Sequence, residues 1–207
     1  AGRGAGVRLI EGTGARVVAR TGGRISGVET PAGLLPAAAV VLAEGGAIER
    51  GEAGLLPFPL EAFARPWLRL DASSDPDRPG RLLVSSGVRL VPRRDGTLVA
   101  LGRAGRDGRT ARCGAGRLAS LLEDLRRLVP ASTAWEAVES GAALELRAPD
   151  GLPLAGETDV EGMFLATAWG SDELLLAPAA ARLVADLVTG HEPPVPAAPF
   201  APARYGL

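Results

Sequence analysis

The residues best placed for chemistry lie where apolar runs end. Trp169-Gly170-Ser171-Asp172-Glu173 follows the run Met163-Phe164-Leu165-Ala166-Thr167 and precedes a helical pattern. An acidic first turn complements the helix dipole, and a helix N-terminus also offers free N–H groups to a ligand. N-capping by Ser171 or Asp172 and a ligand role fit this pattern equally. Glu44-Gly45-Gly46 follows another apolar run. Open α/β folds leave room for a ligand at that end of a strand, although a plain turn explains the triplet as well. Gly2-Arg3-Gly4-Ala5-Gly6 has neither the preceding strand nor the following helix that a phosphate loop requires. His191, the only histidine, stands beside Glu192 and two prolines and reads as a surface residue. Ser-His-Asp chemistry and histidine-based metal sites therefore have little to work with, and no metal is expected. Cys113 is the only cysteine, which excludes an internal disulfide and a cysteine-based zinc site.

The chain around these residues is globular in composition. It has 207 residues, 46% apolar and 23% charged, enough for a sizeable core. A formal charge of −1 and a pI near 6.0 supply no drive toward nucleic acid or an anionic membrane. The most apolar late stretch is broken by Arg182 and Asp186, so a soluble, cytoplasmic protein is expected. The chain starts without methionine, which leaves processing or missing upstream sequence as the alternatives.

The elements that must carry the site alternate between strand and helix patterns. Residues 7–10 form a short apolar run, and residues 15–20 and 24–29 flank Thr21-Gly22-Gly23 as a hairpin. The run 37–43 is apolar on both faces, as in a buried, mostly parallel sheet. Strands are expected at 67–70, 82–84, 88–91, 97–101 and 163–167, with loops at 73–80 and 102–116. Leu118, Leu121, Leu122, Leu125, Leu128 and Val129 share one helical face ending at Pro130. A last helix spans about 172–189, with Leu176, Ala180, Leu183, Val184, Leu187 and Val188 inward and Gly190 as its C-cap. A proline-rich tail follows and drapes over the surface.

Five collinear segments resemble the D-amino-acid oxidase and glycine oxidase family of FAD-dependent oxidoreductases. Residues 144–154, ending Ala148-Pro149-Asp150-Gly151-Leu152-Pro153-Leu154, are similar to its late "TPDGLPLIG" segment. Residues 164–187 resemble its closing "LYVATGHGRNGILLAP…ARLLADL", and residues 6–29 the strand and hairpin after its second helical region. Val40-Val41-Leu42-Ala43-Glu44-Gly45 is similar to "VVLAAGAW", and Leu90-Val91-Pro92-Arg93-Arg94-Asp95-Gly96 to "YLVPRRDG". The resemblance implies the carboxyl-terminal part of a two-domain α/β plus α+β fold. Flavin-domain pieces at 1–56 and 145–207 would enclose an inserted antiparallel-sheet substrate domain at 57–144. It implies an enzyme passing hydride from a substrate C–N carbon to FAD, reoxidised by oxygen. Carried over by position, Ala15 falls beside the adenine, Glu44, Gly45 and Gly46 near the flavin, and Gly170, Ser171, Asp172, Glu173 and Leu174 along its edge.

Departures from the family pattern are specific. The G-x-G-x-x-G strand has no counterpart in this chain, so a complementary chain carrying the N-terminal FAD-binding half, in a hetero-oligomer, is expected. Two substrate-carboxylate arginines of the family align with Glu145 and Ser171, while a shift of two residues puts Arg147 in the place of Glu145. The substrate pocket is thus expected to hold Glu145, Arg147, Trp169 and Ser171. An unpaired glutamate would repel a substrate carboxylate, so a cationic or neutral amine is the expected substrate. Glu44, if buried, is expected neutral or paired. The alternatives are a non-catalytic pseudo-oxidase subunit that binds an active flavoenzyme, or a truncated fragment.

Overall fold

In a computed structural model, residues 6–15, 17–43, 59–106 and 112–206 are described. The chain forms two compact units, Ala1–Leu60 with Ala148–Leu207, and Glu61–Arg147.

The first unit contains two small sheets. Strands β1 (Val17–Thr21), β2 (Arg24–Thr30) and β3 (Gly33–Pro36) form an antiparallel meander. Gly22 and Gly23, at φ 61° and 84°, make the two-residue turn whose twist matches the β1–β2 ladder. Residues 7–10 do not form the expected strand. Val7, Leu9 and Ile10 are 57%, 60% and 41% exposed and pair with no described neighbour, so the run has neither ladder nor core.

The second sheet has the order β10-β11-β4, from β4 (Val40–Leu42), β10 (Leu154–Glu157) and β11 (Met163–Thr167). β4 runs parallel to β11, and β10 antiparallel to it. The apolar run 37–43 yields only the three residues of β4, and Val41 is 42% exposed, so burial on both faces does not hold there. Helix α2 (Glu173–Thr189) turns Ala180, Leu183 and Val184 inward against this sheet and ends at Gly190, φ 73°. Val188, expected inward, is 37% exposed. The turn into β11 depends on Gly162. It has φ 82°, and a Cβ there would lie 2.6 Å from the Ala38 carbonyl oxygen.

The second unit is one antiparallel sheet, order β6-β7-β8-β5-β9, covered on one face by helix α1 (Ala115–Leu128). Its strands are β5 (Glu61–Asp71), β6 (Leu83–Val84), β7 (Arg89–Pro92), β8 (Thr97–Leu101) and β9 (Glu136–Arg147). Along β5 the side chains alternate. Ala64, Pro66, Leu68 and Leu70 are buried, and the intervening Glu61, Phe63, Arg65, Trp67 and Arg69 are half-buried on the open face. Leu68, Leu70, Val88, Leu90, Leu98 and Ala100 pack with Leu121, Leu125 and Trp135 into one core. Trp67 lies across Gly141 of β9, where a Cβ would approach its ring to 2.9 Å.

Pro66 sits inside β5 rather than before it. Its carbonyl accepts from the Gly102 N–H (2.9 Å), so its missing N–H faces Gly102 just past the end of β8. The Gly102 carbonyl, deprived of that donor, accepts from Arg65 Nη1 at 2.6 Å. The loop after β5 is tied down by Trp135, whose Nε1–H donates to Asp75 Oδ2 at 2.8 Å. Trp135→Phe keeps the packing and removes this bond. Its expected cost is about 1 kcal/mol in urea denaturation, and Asp75→Asn, which keeps an acceptor for the indole, should cost less than Trp135→Phe.

Candidate functional site

On the open face of the second unit, charged side chains gather where β5 and β9 pair. The register sets Phe63 opposite Glu145 and Glu61 opposite Arg147, so these four side chains share a face. Glu145 is 8% exposed. Arg65 grips both its carboxylate oxygens, through Nε to Oε1 and through Nη2 to Oε2 (3.3 Å). Arg147 donates from Nη2 to Oε2 at 2.9 Å, and its guanidinium carbon stands 4.5 Å above the Phe63 ring centroid. Burial opposes the charge on Glu145, but hydrogen bonds from Arg65 and Arg147, with their positive charge, outweigh it and hold the carboxyl below its usual range. Two guanidiniums around one carboxylate leave the cluster with an excess positive charge. Alongside it, Arg106 pairs with Glu61 and Arg69 with Glu139.

Glu145 is therefore not the unpaired glutamate that the sequence suggested. It is a neutralised, buried link between two arginines, and the partly exposed member of the cluster is Arg147. Sequence reasoning missed Arg65 and Phe63. The alternating pattern Glu61-Ala62-Phe63-Ala64-Arg65-Pro66-Trp67-Leu68 carries the signal, but a proline inside a strand argues against it, so the expected strand begins only at Trp67.

In the first unit, β11 leads through Ala168 (φ 63°) and Gly170 (φ 60°) into α2. Neither Ser171 nor Asp172 caps α2 by a side-chain hydrogen bond, so the capping reading is not what the structure shows. Ser171, Asp172, Glu173 and Leu174 are exposed around this N-terminus, and Gly170 is half-buried. Leu174 and Leu175 are 93% and 78% exposed. Trp169 packs with Ala155, Phe164, Leu183 and Val184 and lines an apolar pocket of about 190 Å³ together with Val195 and Phe200. Ala15 is exposed just before β1, and Glu44, Gly45 and Gly46 lie outside the described residues. Glu145 and Arg147 thus belong to the second unit, Trp169 and Ser171 to the first. His191 is exposed at the end of α2, with Nδ1 2.7 Å from Thr189 Oγ1. Among the described residues no group of three His, Cys, Asp or Glu side chains could hold a metal ion. Among them, too, no helix is long and apolar enough to cross a membrane.

The tail is fixed by one arginine. Arg204 donates to Asp150 Oδ2 (2.7 Å) and Oδ1 (3.2 Å), to the Leu152 carbonyl (3.0 Å) and to the Phe200 carbonyl (2.8 Å). The Arg204 bond, with lesser help from Tyr205 and the Leu152 N–H, holds Asp150 well below the ordinary aspartate range. A depressed folded-state value means the pair stabilises above the unfolded pKa, about 3.9, and that contribution is lost as pH falls below it. Arg204→Ala should cost about 1 kcal/mol and raise hydrogen exchange in residues 198–206 at pH 7, and the gap from wild type should close under strong acid.

A half-buried sheet face rich in arginine and a strand-to-helix turn with uncapped N–H groups are parts of an α/β fold similar to the FAD-dependent amino acid oxidases. The crystal structure of glycine oxidase from Geobacillus kaustophilus superposes with a TM-score of 0.83 at 28% identity, over 97% of this chain and 54% of that one. L-Proline dehydrogenase from P. horikoshii shares the fold with a TM-score of 0.86 at 20% identity, over 99% and 56%. Residues 1–187 match the FAD dependent oxidoreductase (DAO) family, and the chain belongs to it. Glycine oxidase from Pseudomonas aeruginosa is 32% identical over 202 residues, 96% of this chain and 55% of that protein. D-Amino acid dehydrogenase from Rhizobium rhizogenes is 27% identical over 206 residues, 97% and 49%. The chain spans about half the length of the curated relatives it matches.

FAD is the cofactor of this family. The residues present fit one edge of a flavin. The first turn of α2 offers N–H donors free of side-chain caps, next to the exposed apolar side chains of Leu174 and Leu175.

Proposed function

We propose that this chain is part of an FAD-dependent oxidase or dehydrogenase of amino acids, completed by a flavin-binding half on the same or another polypeptide. In that reading the first unit supplies flavin contacts around Gly170, Ser171, Asp172, Glu173 and Leu174, with Ala15, Glu44, Gly45 and Gly46 near the cofactor, and the second unit supplies substrate contacts. Bound FAD would accept hydride from the carbon bearing the amine. The first turn of α2 would stabilise negative charge there through its N–H donors, opposed by the carboxylates of Asp172 and Glu173.

The observation that carries the substrate class is the excess positive charge of the Arg65, Glu145 and Arg147 cluster on an open sheet face. Such a face attracts a carboxylate and disfavours the cationic amine expected from Glu145 alone. The proposed substrate is thus an amine whose reacting carbon also bears a carboxylate. The test is anaerobic titration of the FAD-loaded protein with D-amino acids, glycine and carboxylate-free amines. Bleaching of the flavin band by the amino acids and not by the simple amines is the expected result. Bleaching by simple amines alone would reverse the substrate assignment. Ser171, where the resembling family has arginine, favours the pseudo-oxidase as second reading. Bleaching by no amine at all, with flavin bound, is its signature.

A further inference from the structure

Helix α2 and the C-terminal tail leave a space between them that the first unit does not fill. Along α2, Leu176, Ala180 and Leu183 recur at helical spacing on one face, and the alanines at 179 and 180 leave open the volume that longer side chains would occupy between the leucines. Trp169 of the turn into α2, with Val195 and Phe200 of the tail, supplies further walls. The tail is clamped by Arg204, which donates to the Phe200 carbonyl (2.8 Å) and to Asp150 Oδ2 (2.7 Å). The resulting pocket has a volume of about 190 Å³, and the side chains lining it are apolar apart from the indole N–H of Trp169. A carboxylate or ammonium placed there would lose its water and find no charged partner, so an amino acid zwitterion does not fit. The volume lies below the range of about 300–1,000 Å³ usual for drug-sized ligands and near that of an apolar cavity of about 150 Å³ that takes benzene. A space of this size holds a single side chain, far short of the roughly 1,200 Å² that a stable protein interface buries, so its occupant is a small molecule rather than a protein partner.

We propose that this pocket binds one uncharged, single-ring aromatic molecule and that the occupant steadies the turn entering α2. The turn needs support from its surroundings. Ala168 has φ 63°, in the left-handed region that a residue with a Cβ disfavours, and at 4% exposure it is held there by packing. Trp169, the next residue, is part of that packing through Ala155, Phe164, Leu183 and Val184. A ring seated against the Trp169 indole adds edge-to-face or offset contacts to it and meets no charged group. The inference is independent of the substrate class proposed above, because the charge of an amino acid keeps it out of this pocket.

The experiment is a ligand-observed NMR titration of the full chain with toluene and with benzoate, a charged ring of similar size. Toluene should saturate one site, and benzoate should bind at least about tenfold more weakly, because its carboxylate would be buried without a partner. Residue 179 lines the pocket and is also exposed to solvent, so Ala179→Leu can fill the space without distorting the core. In Ala179→Leu toluene affinity should fall at least about tenfold at an unchanged denaturation midpoint. Should Ala179→Leu not fold, Ala179→Met, unbranched and adaptable, carries the same decision. Amide hydrogen exchange in residues 168–173 should slow at saturating toluene in wild type and stay unchanged in Ala179→Leu. Toluene binding that does not saturate, or that survives Ala179→Leu at wild-type strength, overturns the site. Equal affinity for benzoate overturns the ligand class, and saturable binding without slower exchange at 168–173 overturns the steadying of the turn.

Discussion

Replacing Arg65 by methionine is expected to lower the stability of the protein by about 3 kcal/mol at pH 7, at the low end of the cost of breaking a buried ion pair. Methionine fills similar volume, so the loss is electrostatic. Glu145, 8% exposed, would keep its burial and lose the bidentate partner that offsets it, retaining only the single bond from Arg147. The Gly102 carbonyl would also lose its donor, and Pro66 cannot replace it. The pH dependence identifies the cause. In wild type the folded-state value of Glu145 is depressed, so its contribution is present above the unfolded glutamate pKa, about 4.3, and is lost as pH falls through the lower folded value. In Arg65→Met the cost of burying the charge on Glu145 is no longer outweighed to the same degree, and protonation relieves it. The gap between the two proteins should therefore be widest near neutrality and shrink as pH falls below about 4.3. Urea denaturation curves between pH 3 and 8 measure it. A gap independent of pH would assign the loss to packing and remove Glu145 from the explanation. The double variant Arg65→Met with Glu145→Gln should recover part of the stability at pH 7, since no buried charge is then left unpartnered.

Elements whose burial follows a strict period were legible before the structure. β11, β8, the β1–β2 hairpin with Gly22-Gly23, and α2 with its Gly190 cap all lie where apolar spacing and turn residues placed them. β9 was not foreseen, because Glu136, Ala137, Val138, Glu139 and Ser140 are all exposed and the buried alternation begins only at Ala142. Its position is set by pairing with β5 along its length, an interaction between distant segments that leaves no local period. β5 itself was foreseen only from Trp67, because a proline in a central strand argues against the strand unless its missing N–H lies at the end of a neighbour, and β8 ends at Leu101. The site was half legible for the same reason. Glu145 and Arg147 were singled out together, two residues apart on β9, whereas Arg65 and Phe63 reach them only through the β5–β9 register. Without Arg65 the charge on Glu145 looks unopposed and points to a cationic or neutral amine, whereas the paired cluster supports the carboxylate-bearing amine proposed above.

Truncating Leu125 to alanine should remove about 3 kcal/mol from the stability of the second unit without disturbing the cationic cluster of Arg65, Glu145 and Arg147. Leu125 is 1% exposed and packs from α1 into the core formed by Leu68, Leu70, Leu98 and Trp135. Loss of its side chain sacrifices transfer free energy and leaves a cavity that the rigid sheet fills poorly. Leu122, three residues away on the same helix, is 47% exposed, and its truncation should cost less than about 0.5 kcal/mol. The contrast tests whether α1 packs by its 121/125 face, since the sequence alone placed Leu122 on that face too. Alternation along β5 separates this core from the cationic face, with Leu68 and Leu70 on one side of the sheet and Phe63 and Arg65 on the other. Below its melting transition Leu125→Ala should therefore keep the affinity for propionate, a carboxylate without an amine that probes the proposed cationic face, within about twofold of wild type, whereas Arg147→Gln should weaken it with little change in denaturation midpoint. If Leu125→Ala weakened propionate binding as much as Arg147→Gln does, the two faces of β5 would be coupled through the backbone, and the cluster would owe its geometry to the helix-packed core rather than to its own ion pairs.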